Sequence, residues 1–183
     1  SSSSRGLGDV YKRQGLKLTI YRTSQLKYEL KDLCMLGKVD RKFLNIAYDE
    51  ALAGFNEGGC PIGSVLAEGD KLIAKGRNQR VQLGDPIAHG EMDCLRKAGR
   101  QKTYRNMTIY TSLSPCMMCT GAIIQFGIPK VVIGENSTFA GNPELLRKNG
   151  VFVIIANDIR CKNLMKRFIA EKPELWAEDI AED

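Results

Sequence analysis

The chain has one histidine and one tryptophan, His89 and Trp176, and no second C-x-x-C beside Cys116-Met117-Met118-Cys119. A mixed Cys and His metal site must therefore use His89, and a zinc ribbon of paired C-x-x-C motifs is excluded. No apolar run approaches the roughly 20 residues that span a bilayer. The N-terminus lacks the apolar core of a secretory signal. These absences predict a cytoplasmic protein, the nucleus remaining open, with no membrane partner. Without a secretion signal, six cysteines are a weak argument for disulfides. Cys34, Cys60, Cys94 and Cys161 are read as small buried hydrophobes, and Cys116 and Cys119 as metal ligands or a redox pair.

A basic bias is also missing where it would matter. The net charge is +6, yet residues 1–42 hold 10 Lys and Arg against 4 Asp and Glu, while residues 43–183 hold 17 of each. The body has no overall positive field to gather phosphates, so no nucleic-acid partner is expected. Hydrophobic residues at 43% and charged residues at 26% fit one ordinary globular domain in 183 residues. Residues 1–14 resemble a translated adapter and are set aside. Residues 1–40 are read as a poorly ordered leader, with a GLKLTI strand and a helix over 28–35 as its only candidate elements. The domain is expected over 41–183.

Hydrophobic period and turn residues predict the elements of that domain. Asp40 is placed as the cap of a helix over 40–56, with Phe43, Ile46, Ala47, Leu52 and Phe55 on its apolar face. A hairpin follows, 62–67 and 71–76, around Glu68-Gly69-Asp70. After a loop comes a helix over 89–98, closed by Gly99, and a strand over 107–111. Ser114 is placed as the cap of a helix ending at Phe126, with Pro115 in its first position. Strands at 130–133 and 151–156 flank a short helix at 143–148, a separation that suits a parallel crossover. Asn157 or Asp158 caps a last helix buried through Leu164, Met165, Phe168 and Ile169. Pro173 ends it, and an acidic tail follows. The order predicts an α/β fold: a three-layer α/β/α sandwich on one five-stranded mixed sheet.

The chemistry lies in His89-Gly90-Glu91 and Pro115-Cys116-Met117-Met118-Cys119. Cys116 and Cys119 are three apart, hence on one face at a helix start, where the dipole favours thiolates. His89 starts another helix. A structural zinc needs a fourth protein ligand, and Cys94, five residues past His89, faces nearly the opposite way. Three ligands with an open fourth position make the catalytic arrangement. Glu91 lies two residues from a ligand and is placed to move protons from a water on that position. Read singly, His89 is a satisfied polar group, C-x-x-C a redox pair, and Glu91 a solvated charge at a helix start. Jointly, and in this order, they favour a hydrolytic site.

The pattern H-x-E followed by P-C-x-x-C resembles the zinc nucleobase deaminases. The chain is most similar to the fungal-type cytosine deaminases within the cytidine-deaminase superfamily. The likeness runs over residues 42–182 and rests on Glu57-Gly58-Gly59-Cys60-Pro61-Ile62-Gly63, His89-Gly90-Glu91, residues 113–124, Phe126-Gly127-Ile128-Pro129, Gly134-Glu135-Asn136, and residues 158–169 and 172–180. The resemblance implies one zinc per chain on His89, Cys116 and Cys119, with Glu91 as proton shuttle. It implies that Asn78 and Asp179 read the two edges of a pyrimidine. Phe139, Trp176 and Ile62 become the walls, and the backbone of Gly90 and Ser114 completes a polar rim. It further implies a homodimer, and hydrolysis of free cytosine to uracil and ammonia in pyrimidine salvage. Cys60 stands where a small aliphatic residue is usual, Ala177 where an aromatic is usual, and Asp85-Pro86-Ile87-Ala88 replaces a small polar run.

Three rivals follow. A tRNA adenosine deaminase shares the mechanism, but residues 173–183 hold five acids and no base, a poor neighbour for phosphates. A guanine or nucleoside deaminase differs in pocket size, and Trp176 with Asp179 favours cytosine. A catalytically silent zinc-binding or thiol redox protein has no need of Glu91.

Overall fold

The computed structural model describes residues 36–181. The adapter-like stretch, the GLKLTI strand and the 28–35 helix lie outside them. In chain order the elements are α1 (Lys38–Asn56), β1 (Gly63–Glu68), β2 (Lys71–Arg77), α2 (Arg80–Leu83), α3 (Gly90–Ala98), β3 (Met107–Leu113), α4 (Met117–Phe126), β4 (Lys130–Glu135), α5 (Pro143–Lys148), β5 (Phe152–Ile155), α6 (Ile159–Glu171) and α7 (Pro173–Ile180). The five strands form one mixed sheet in the order β2-β1-β3-β4-β5. β1 is antiparallel to β2 and β3, whereas β3, β4 and β5 run parallel. The expected crossover between the last two strands is present.

Strand alternation builds the layers. Leu66, Ile109, Val131 and Val153 stand opposite one another across four strands. Their row is buried with Cys94 and Leu95 of α3, Ile123 of α4 and Leu146 of α5. One residue away in register, Val65, Tyr110, Val132 and Ile154 form the row on the other face. That row packs on Phe43 and Ala47 of α1. Each such side chain contributes roughly 1.5–3 kcal/mol of burial, so slipping one strand by a residue would cost several of them at once. A third cluster sits beyond the end of β3. Ile62, Leu113, Met165, Phe168 and Trp176 meet there.

Four expectations are corrected. Asp40 does not cap α1, which begins at Lys38 behind Gly37. It is buried in the first turn, where it accepts from Tyr110 Oη at 2.9 Å and Lys130 Nζ at 2.7 Å. Ser114 does not cap α4: Cys116 occupies the cap, and the helix starts at Met117. β3 runs on to Leu113, which is paired with Glu135, and the Ser114 N–H continues that pairing onto the Glu135 carbonyl. Ser114 and Pro115 are therefore held outside the helix. The loop after β2 contains the short helix α2, and the acidic tail is helix α7. Pro173 both stops α6 and opens α7, since proline at a first helical position forfeits no hydrogen bond. Asp158 caps α6 as expected, accepting from Arg160 N.

Candidate active site

Two helix starts meet at the end of the sheet that carries the third cluster. His89 is the cap of α3 and Cys116 the cap of α4, both extended in backbone, and Cys119 lies one turn further. One ligand atom from each of His89, Cys116 and Cys119 lies within 4.8 Å of the others. His89 Nδ1 is 3.5 Å from Cys116 Sγ. The hydrogen bond from Cys119, aided by His89 and against burial, holds the Cys116 thiol down at about 4. That same bond, with burial, pushes Cys119 well above its ordinary value. Burial draws the His89 imidazole down, but Cys116, Asp179 and Glu91 outweigh it and raise its pKa. A bound cation would take both sulfurs as thiolates. A soft donor set of two sulfurs and one imidazole suits zinc. Among the described residues no fourth Cys, His, Asp or Glu joins the group, so the set fits a three-ligand zinc with an open position.

Glu91 is nearly sealed from solvent, and burial raises its carboxyl pKa. Its Oε1 accepts from Thr111 Oγ1 at 3.0 Å. Thr111 projects from β3 on the face that holds Ile109, so the sheet itself fixes the carboxylate. Gly90 opens α3 in close contact with β1's approach. A Cβ there would lie 2.8 Å from the Ile62 carbonyl oxygen, so a bare α-carbon is what lets α3, with His89 and Glu91, sit this close.

The cavity above these groups has a volume of about 800 Å³. Its lining includes Ile62, His89, Glu91, Ser114, Cys116, Phe139, Trp176 and Asp179. Phe139 and Trp176 meet edge to face with centroids 5.9 Å apart. The Phe139 loop is tied by Glu135, whose carboxylate accepts from the backbone N–H and hydroxyl of both Ser137 and Thr138. It closes onto Ser114, whose Oγ donates to the Ala140 carbonyl at 2.9 Å. Gly141 makes that approach feasible: its φ is +58°, and a Cβ would stand 2.3 Å from Ser114 Oγ.

Most predicted positions therefore converge, but not all reach the cavity surface. Cys119 is fully buried beneath the site. Asn78 is fully buried too, and its amide is engaged within the protein: Oδ1 accepts from Arg80 N and Nδ2 donates to Asp179 Oδ1. Gly90 holds the first helical position, where a helix leaves the N–H without an intrahelical acceptor. Arg80 and Thr111 were not singled out from the sequence, and Glu135 entered only within the Gly134-Glu135-Asn136 stretch. Each acts through a partner rather than through a motif of its own. Cys94 and Cys161 are buried thiols pushed up to about 12, and burial also raises Cys60. Those three are the inert hydrophobes expected, whereas Cys34 lies outside the described residues. No described helix is long and apolar enough to cross a membrane.

Residues 38–135 match the model of the cytidine and deoxycytidylate deaminase zinc-binding region. A cytosine deaminase of Candida albicans is 51% identical over 146 residues, spanning 78% of this chain and 97% of the relative. A tRNA-specific adenosine deaminase of Buchnera aphidicola is 36% identical over 151 residues, spanning 75% and 99%. Among solved structures, a guanine deaminase from Nitrosomonas europaea superposes with a TM-score of 0.61 at 23% identity, over 73% of this chain and 85% of its own. That last likeness is one of fold. With a three-ligand zinc set, a buried carboxylate beside it and these relatives, the chain belongs to the cytidine and deoxycytidylate deaminase family of zinc-dependent hydrolases.

Proposed function

We propose that this chain hydrolyses free cytosine to uracil and ammonia, as a cytoplasmic homodimer serving pyrimidine salvage. The observation that carries the reading is Glu91 beside the His89, Cys116 and Cys119 ligands, under a cavity walled by Ile62, Phe139 and Trp176. The Candida albicans relative, a cytosine deaminase, supports the substrate.

Zinc, when bound by His89, Cys116 and Cys119, brings a water's pKa to about 7 and so supplies the nucleophile at neutral pH. Glu91 takes the proton of that water on a carboxylate oxygen and delivers it to ring N3 as the new bond forms at C4. It then carries the second water proton to the exocyclic amine, which leaves as ammonia while the C4–N bond breaks. Burial of Glu91 keeps those protons from bulk solvent, and Thr111 keeps the carboxylate aimed. A flat neutral base needs apolar walls and few polar edges. Ile62, Phe139 and Trp176 provide the walls. An amide makes up to four hydrogen bonds. Two of those of Asn78 are taken internally, and its buried amide lies behind the cavity lining, where it holds Asp179 in place rather than forming the cavity surface. Asp179, the Gly90 N–H and the Ser114 carbonyl complete the rim. Glu178 and Asp179 are paired with Arg80, so the acidity of α7 is partly neutralised at the cavity and weighs less against phosphates than its sequence implies.

The test is ammonia release from cytosine, cytidine, adenine, guanine and a tRNA anticodon stem-loop. Release from cytosine alone is expected, and release from cytidine or the stem-loop but not cytosine refutes the reading. Glu91→Ala should keep one zinc per chain and lose ammonia release altogether. Substantial turnover in that variant refutes the assigned role.

A further inference from the structure

Asp179 reaches the cavity from the last turn of α7, and it does not stand there unaided. Arg80 Nη1 meets its Oδ1 at 2.8 Å, and Asn78 Nδ2 meets the same Oδ1 at 3.0 Å. Arg80 Nη2 meets Glu178 Oε1 at 2.9 Å. The Arg80 side chain is 12% exposed and that of Asp179 4%. Oδ2 of Asp179 accepts no hydrogen bond from the described residues. The two protein donors thus converge on one carboxylate oxygen and leave the other, in a residue that lines the cavity. Arg80 is itself fixed, because its N–H is bound to Asn78 Oδ1 at 3.1 Å. The next residue back, Gln79, donates its N–H to the Ala88 carbonyl, one position before the ligand His89.

We propose that Arg80 is a positioning residue of the deaminase site. It docks Asp179 by Oδ1 so that Oδ2 faces the substrate as a fixed acceptor, and it holds α7 over the cavity. The inference rests on the base-deaminase reading above and adds a specificity device to it. A carboxylate paired with a guanidinium offers acceptors only, so it selects a substrate edge that presents an N–H. An edge with a lone pair there leaves Oδ2 without a donor and is rejected. The guanidinium fork matters because its two terminal nitrogens take carboxylates on consecutive residues, which the compact charge of a lysine does not reproduce. The two residues are 99 positions apart in the chain, so α2 and α7 are joined at the site by this contact.

A double-mutant cycle tests it. Arg80→Ala should keep one zinc per chain and lower kcat/KM for cytosine by about tenfold or more, mainly through KM. In an Asp179→Asn background the same substitution should change kcat/KM by less than about twofold, because the group it positions is already altered. Losses that multiply across the two sites, or a wild-type kcat/KM in Arg80→Ala, overturn the proposal. If Arg80→Ala does not hold one zinc per chain, Arg80→Lys carries the same cycle with the same criteria. If the wild-type chain releases no ammonia from cytosine, the substrate reading fails instead. The cycle is then read on whichever base of the panel the chain does deaminate.

Discussion

Thr111→Val probes the proton shuttle without touching a ligand. Thr111 is wholly buried in β3, and its hydroxyl lies 3.0 Å from Glu91 Oε1 and 3.0 Å from the Leu113 carbonyl. One hydroxyl has one hydrogen, so it serves one acceptor at a time. It donates to Glu91 while the carboxylate is charged, the stronger partner. Once Glu91 carries the proton, the hydroxyl is free to turn to Leu113. The rotor thus serves both states of the shuttle. Valine keeps the β-branched shape that suits the strand and removes the donor. A hydrogen bond to a charged group is worth about 1.5–3 kcal/mol, which converts to a loss of roughly 10- to 150-fold. With Glu91 as the proposed proton shuttle of the chemical step, the loss should fall on kcat, with KM changed little and zinc content unchanged. Steady-state ammonia release across cytosine concentrations measures the split. Thr111→Ser, which keeps the hydroxyl, should recover most of the rate. A Thr111→Val enzyme with kcat within about twofold of wild type would refute the reasoning.

Two further predictions concern the scaffold around the site. The Asp93 side chain is fully buried; burial pushes its carboxyl up, but Lys97, Arg96 and the Arg77 N–H outweigh that and hold it below 3.8. A depressed folded pKa stabilises the protein above about pH 3.8 and loses that contribution as pH falls through the lower folded value. Asp93→Asn should therefore lower Tm at pH 7 by a few degrees, at about 2–4 °C per kcal/mol for a chain of this size, and the gap to wild type should close below pH 3.8 by calorimetry or circular dichroism; a gap that is independent of pH argues against the linkage. Gly90→Ala places a Cβ 2.8 Å from a backbone oxygen, so α3 must shift. Metal analysis should find clearly less than one zinc per chain, and full occupancy with wild-type kcat would show that the approach is not tight.

What the sequence disclosed and what it withheld divide along a physical line. The grouping of His89, Cys116 and Cys119 was legible because each sits at a helix start, within a few residues of chain, with Glu91 two residues on from His89. The strands were legible because the apolar alternation that forms them is also local, and the two rows over four strands are what that alternation demands. The start of α4 was misplaced by local reasoning. Ser114 and Pro115 are good helix openers, but the Leu113 to Glu135 pairing and the Ser114 N–H bond to Glu135 extend the parallel ladder past them. Tertiary hydrogen bonds there overrode propensity. Asp40 went astray for a similar reason, since a cap and a buried partner for Tyr110 and Lys130 look alike until strands 70 and 90 residues away are in place. Arg80 and Thr111 left no mark at all, for their partners are 99 and 20 positions distant. A residue that binds an atom carries its chemistry in its own type and spacing, whereas one that aims another residue carries it only in the fold. It follows that the reaction class of such a site is open to motif reading, but its substrate preference is set by contacts such as Arg80 to Asp179, which only the assembled structure brings into view.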